Sequence, residues 1–212
     1  MKRLWFNIII FFGCFLLLVT TLGAVLIIAP GMELLGVMYI RHTSGEIKVS
    51  KTVANATNYN TIEIQSDNIP VVIEFVQSYS LKVDLKDSID GFCKAGPEPT
   101  LDVSVLADTI YVKSNEYSPL IASRQEGSGL FIKVPMYYTN NIVINSNKSA
   151  VRFDGKNVSI NDITINAKGS ITFGNDINMN SMVLNFGNKP AIISNNVNLN
   201  GTVTATSKRG DL

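Results

Sequence analysis

The chain has 212 residues, 18 basic and 17 acidic side chains, a net charge of +1, one histidine and two cysteines. A charge balance this close to zero argues against a basic nucleic-acid-binding face and against strong attraction to an anionic membrane surface. The single histidine excludes histidine-dependent triads and histidine-built metal hydrolysis sites, and Cys14 and Cys93 are too few for a disulfide framework.

Taken from the N-terminus, Lys2 and Arg3 precede a run from Leu4 to Ala29 in which the Cys14 thiol is the only ionisable group. As a helix, these 26 residues would be about 39 Å long, against a hydrocarbon core of about 30 Å. The run exceeds the apolar core of a cleavable signal and lacks a convincing small-x-small site, which predicts an uncleaved signal-anchor. Lys2 and Arg3 place the N-terminus in the cytoplasm and the rest outside. A lipoprotein reading of Cys14 fails because the apolar run continues past it. Cys93 is then exported without a second exported cysteine to pair with. The domains read as residues 1–30, a cytoplasmic tip and transmembrane signal-anchor; residues 31–42, an interfacial juxtamembrane segment; and residues 43–212, an exported β-strand domain. His42 falls beside the membrane, where it reads as a solvated side chain.

From Ser44 to Val134 the apolar residues keep a two-residue period, as in Ile62-Glu63-Ile64, Leu81-Lys82-Val83-Asp84-Leu85, Leu101-Asp102-Val103 and Ile110-Tyr111-Val112. Charges alternating with apolar residues predict sheets with one wet face. Glycine and proline mark loops at 91–100 and 115–129. The aspartates Asp84, Asp87 and Asp90 lack the alternate spacing of a calcium loop and read as a solvated strand end.

Residues 142–205 carry the clearest pattern, a repeat of about twenty residues. Each coil is read as three short strands, the first being Ile142–Asn145, Val151–Phe153 and Asn157–Asn161. Stacking the coils gives inward apolar columns such as Ile142, Ile163, Met182 and Phe153, Phe173, Ile193. It also gives three corner columns: Asn145, Asn166, Asn185; Asn161, Asn180, Asn200; and Asn157, Asp176, Asn196. Stacked amides can donate to one neighbour and accept from the other, and Asn tolerates a left-handed corner. The outward columns are Val143, Thr164, Val183; Arg152, Thr172, Ile192; and Ser159, Asn178, Asn198.

The order of features resembles the bacterial family of adhesin-like β-strand repeat proteins. The resemblance rests on Thr109-Ile110-Tyr111-Val112, a loop, Phe131-Ile132-Lys133-Val134-Pro135, then Ile142-Val143-Ile144 opening the repeats. Two turns, Thr43-Ser44-Gly45-Glu46-Ile47 and Thr206 to Leu212, are similar to the family's Thr-Ser-Gly-Asp-Ile element. The resemblance spans most of the exported part and implies a membrane-tethered β-solenoid without enzymatic activity. Asn replaces many of the family's corner glycines.

The predicted fold is therefore all-β, a β-solenoid or β-helix-like repeat domain behind one N-terminal transmembrane helix. The outward columns lack clustered carboxylates, so a polysaccharide-active enzyme is a remote alternative, and no metal or cofactor is expected. Arg209-Gly210-Asp211 reads as a by-product of the turn element, and the sequons at Asn55, Asn147, Asn157 and Asn200 as one of Asn and Ser abundance. Two functions remain: a scaffold module holding an envelope protein, and a surface adhesin-like module binding glycan or a host surface. The outward columns carry no aromatic ring, which favours protein contact. Thr164, Thr172, Asn178 and Asn198 are the candidate partner face, and the incomplete last coil predicts an open C-terminal end that is paired with a partner or a second copy or protected by Lys208 and Arg209.

Overall fold

The computed structural model describes residues 37–41, 47–67, 69–86, 89–94, 99–115, 119–124, 127–146, 150–155, 157–174, 176–187, 189, 191–193 and 197–207. The apolar run at 4–29, Cys14, His42, Asp87 and the Arg209-Gly210-Asp211 tripeptide lie outside these residues. Among the described residues no helix is long and apolar enough to cross a membrane.

The strands in chain order are β1 (Val37–Arg41), β2 (Ile47–Val53), β3 (Thr61–Ser66), β4 (Val71–Val76), β5 (Leu81–Lys86) and β6 (Ile89–Lys94). They continue with β7 (Thr100–Leu106), β8 (Thr109–Asn115), β9 (Pro119–Arg124), β10 (Gly129–Pro135), β11 (Asn141–Ser146) and β12 (Val151–Asp154). The last are β13 (Val158–Ala167), β14 (Ile171–Phe173), β15 (Ile177–Phe186), β16 (Ala191–Ile193), β17 (Val197–Leu199) and β18 (Val203–Ser207). A single turn of 3-10 helix spans Ala56–Asn58.

These strands form two large mixed sheets and a small one. The sheet of seven runs β16-β14-β12-β4-β10-β5-β2, and the sheet of eight runs β17-β15-β13-β11-β3-β8-β7, with β18 beside β15. A small antiparallel sheet joins β1, β6 and β9. From β11 to β17 the chain crosses back and forth between the two large sheets; β13 to β17 each pair in parallel with the preceding strand of their own sheet, and β18 pairs in parallel with β15. The far end differs: β2 and β5 in one sheet and β7 in the other pair antiparallel.

Inward residues of both sheets meet in one apolar cluster. Registers align Ile110, Ile62, Ile142, Ile163, Met182 and Val203 along the sheet of eight. Leu130, Val71, Val151, Ile171 and Ala191 align along the sheet of seven. Phe153 and Phe173 stack at 4.9 Å and 15° within the next column. Full burial of one such side chain is worth about 1.5–3 kcal/mol, and β-branched residues suit the pleat, so the strand alternation drives the fold.

Four expectations need correction. Each repeat has two strands rather than three, because the corner at Asn161-Asp162 leaves β13 unbroken over ten residues. There two successive residues face outward, which shifts the alternation by one position without ending the strand. The glycine- and proline-marked stretches at 91–100 and 115–129 contain parts of β6, β9 and β10. In the segment read as interfacial, Val37–Arg41 pairs with β6 as a strand. Finally, Ile193, assigned to an inward column, is 40% exposed because it lies on the last strand of its sheet.

Candidate functional site

The sheet of eight carries its asparagines in hydrogen-bonded rows. Asn166 Nδ2 donates to Asn145 Oδ1 at 2.8 Å, and Asn185 Nδ2 to Asn166 Oδ1 at 2.7 Å. At the corner of β13 and β15, Asn180 Nδ2 donates to Asn161 Oδ1 at 2.7 Å, and Asn161 donates on to Asn141 at 3.2 Å. A further rung links Asn198 Nδ2 to Asn178 Oδ1 at 2.9 Å. The parallel, in-register pairing produces these rows: it repeats each position one strand spacing away, about 4.8 Å. The corner column behaves differently, since Asn157 and Asp176 take left-handed backbone, at φ of 55° and 59°.

Beside the β13 corner is a groove of about 490 Å³ lined by Thr139, Asn140, Ser159, Asn161, Asn178, Asn180 and Asn200 over Ile160 and Met179. None of these side chains is charged. The nearest carboxylate, Asp162, accepts hydrogen bonds from Ser181 and from Asn161 Nδ2. The floor residues are only 3% and 1% exposed, so the groove offers amides and hydroxyls rather than an apolar pocket. Much of that capacity is unspent. Among the described residues Asn178 engages only its Oδ1 and Asn180 only one N–H, which leaves both N–H groups of the first and one N–H and the Oδ1 of the second.

The candidate partner residues fall on both sheets. Asn178 and Asn198 are neighbours on β15 and β17, and Thr164 lies on β13 of the same sheet, between Val143 and Val183. Thr172 belongs to β14 of the other sheet, between Arg152 and Ile192. No single surface can therefore use all four.

Two groups were misjudged or missed from sequence. Asp84 is 2% exposed rather than solvated, and it accepts from Ser50 Oγ at 2.6 Å and pairs with Lys82 Nζ at 3.3 Å. Its register neighbours are Ser50 on the edge strand β2 and Phe131 on β10, so Asp84 is flanked on both sides although β5 is the last strand but one of the sheet. Tyr79 and Tyr137, on the turns after β4 and β10, stack at 5.6 Å and 21° while remaining 66% and 50% exposed. Neither lies in a repeat column, so only folding brings them together. Behind them Tyr138 is buried and its hydroxyl donates to the Asn141 carbonyl at 2.8 Å; burial pushes that phenol above its ordinary range.

A second concavity, lined by Glu74, Phe75, Val76, Asp154, Gly155, Gly174 and Asp176, is acidic. Arg152 engages Asp154 at 2.6 and 2.8 Å, which holds its guanidinium above its usual range. Among the described residues no three His, Cys, Asp or Glu side chains group as a metal site.

No protein-family model matches the chain, and no curated protein matches its sequence. Among solved structures, a "putative cell adhesion protein" from Clostridium sporogenes is similar over 77% of this chain and 100% of its own, at 8% identity and a TM-score of 0.38. A "putative adhesin" from Parabacteroides merdae is similar over 79% of this chain and 82% of its own, at 11% identity and a TM-score of 0.28. Another from Parabacteroides distasonis is similar over 78% of this chain and 82% of its own, at 15% identity and a TM-score of 0.26. Likeness at this level says nothing of what the chain binds.

Proposed function

We propose that the chain is a membrane-anchored, extracytoplasmic β-solenoid that serves as a non-catalytic interaction module of the cell envelope. The observation that carries this reading is the row of amide rungs across parallel strands of the sheet of eight. Such rows, built of amides alone, give a stiff, repetitive surface, the kind of extended face that stacked repeats use for binding. The run at 4–29 would hold it to the bilayer, and an envelope protein would be the scaffolded partner. A second copy could meet the last strands, where Ile193 and Val203 are 40% and 45% exposed.

A second form of this reading, a surface module that binds glycan, is favoured by the Tyr79–Tyr137 stack. It supplies the exposed rings that the repeat columns lack.

The test is photocrosslinking in intact cells from Asn178 or Thr164 on one sheet, with Thr172 on the other as the comparison. Reproducible capture of one envelope component from Asn178 or Thr164 and not from Thr172 supports a defined binding face. Equal, diffuse capture from all three positions would sink it.

A further inference from the structure

We infer that the groove at the β13 corner is a binding site for an uncharged, linear glycan, with Tyr137 at its entrance. The inference rests on the glycan-binding form of the function proposed above and assigns it a place and a ligand class.

Charge comes first. The groove lining, Thr139, Asn140, Ser159, Asn161, Asn178, Asn180 and Asn200 included, holds no ionisable side chain. A phosphate, a uronate or an acidic peptide would lose its hydration there without gaining a counter-charge. Protein partners are disfavoured for another reason. Interface affinity concentrates in anchors that enter apolar pockets, and here Ile160 and Met179 are sealed beneath the polar layer.

What the groove does offer suits a polyhydroxylated chain. Asn178 keeps its N–H pair unspent, Asn180 keeps one N–H and its Oδ1, and Ser159 and Thr139 add hydroxyls that donate or accept. The ladder bonds already hold Asn178 and Asn180 in place, so little side-chain entropy is lost on binding. Asn161, Asn180 and Asn200 follow one another at the strand spacing, so a ligand laid along the stack meets a fresh amide at each step. At about 490 Å³ the groove falls in the size range of small-molecule sites and could hold a few sugar rings.

The aromatic component lies on the same turn. Tyr137 is two residues from Thr139, so their Cα atoms are at most about 7 Å apart. Tyr79 stacks on Tyr137 and fixes it while both rings stay exposed. The three turns that meet here, residues 54–60, 77–80 and 136–141, contain no charged residue. Backbone bonds tie them together, from Ala56 N to the Tyr79 carbonyl at 2.9 Å, and Asn140 Nδ2 reaches the Tyr59 carbonyl at 2.9 Å. An exposed ring beside a neutral amide row is the pairing that a sugar requires, one face stacked and the hydroxyl edges hydrogen-bonded.

The experiment uses the full-length chain in phospholipid nanodiscs, free of glycosidic detergent, titrated calorimetrically with cellohexaose, chitohexaose and, as a charged comparison, oligogalacturonate. Saturable binding of at least one neutral hexamer and none of oligogalacturonate is expected. Tyr137→Ala and Ser159→Asp should each weaken it about tenfold or more, while Thr172→Asp on the other sheet leaves it unchanged. All three positions are at least partly exposed, and unchanged thermal melting confirms that the variants fold. Absence of neutral-hexamer binding at millimolar concentration overturns the inference, as does binding that Tyr137→Ala and Ser159→Asp both leave intact. If it is overturned while crosslinks from Asn178 still capture an envelope protein, the interaction-module reading stands and the glycan site alone falls.

Discussion

Asn157 and Asp176 show how one residue type can be chosen for its backbone. Both sit at left-handed corners, where a side chain with a Cβ pays a steric cost that Asn and Asp bear better than most. Asp176→Gly should therefore be close to neutral, whereas Asp176→Val should destabilise by about 1–2 kcal/mol, read from urea unfolding midpoints. Gly174 is constrained by space instead, since a Cβ there would lie 2.9 Å from the Phe153 carbonyl oxygen. At Asp108 the Asn60 amide, donating at 2.8 Å, leads the contacts that hold the carboxyl below its ordinary value. A folded pKa below the unfolded one means that this contribution is present above the unfolded value and lost as pH falls through the folded one. Asn60→Ala should raise the Asp108 titration midpoint toward the ordinary carboxylate value, followed by carboxyl NMR.

Among the elements, β13 and β15 set the character of the molecule. Each is ten residues long and turns its corner without losing register with its neighbour, so the chain changes direction while the ladder continues. The asparagine rows add side-chain hydrogen bonds between strands whose backbones are already paired. Asn166 both donates to Asn145 and accepts from Asn185, so Asn166→Ala removes two bonds and breaks the row at its middle rung. A loss of about 1–2 kcal/mol is expected, against a few tenths for Asn198→Ala at the exposed end, in denaturant titrations of the two variants. At the opposite end the antiparallel strands β2 and β7 finish the two sheets, which gives the stack two unlike ends.

For the whole molecule, the proposed anchoring predicts where its surfaces can be reached. With the N-terminus cytoplasmic and the repeats exported, in a chain whose Cys14 and Cys93 are replaced by Ser, cysteines placed at Thr172 and Ser159 should both react with a membrane-impermeant maleimide on intact protoplasts, and one placed at Lys2 should react only after lysis. Labelling of the Lys2 position without lysis would reverse the orientation. Asp84 and the Tyr79–Tyr137 pair illustrate what such a molecule hides from a linear reading. One is a carboxylate enclosed by strands distant in sequence, the other a ring stack assembled from two turns.

The two-residue period and the twenty-residue return were legible because they are local: alternation decides which side of a strand is apolar, and a repeat forces equivalent residues into columns. Ile142, Ile163 and Met182, or Asn145, Asn166 and Asn185, could be aligned from spacing alone, and the registers align them the same way. Pairing direction and partner choice are not local. That β8, β3, β4 and β10 extend the parallel ladders upstream of the visible repeat, while β5 and β7 run against them and β2 reverses again beside β5, depended on contacts made by strands far apart in the chain. The groove needed the same information. Its amides come from successive repeats and could be named from the sequence, but the turn residues Thr139 and Asn140 that help line it are brought there only when the two sheets close on a common core.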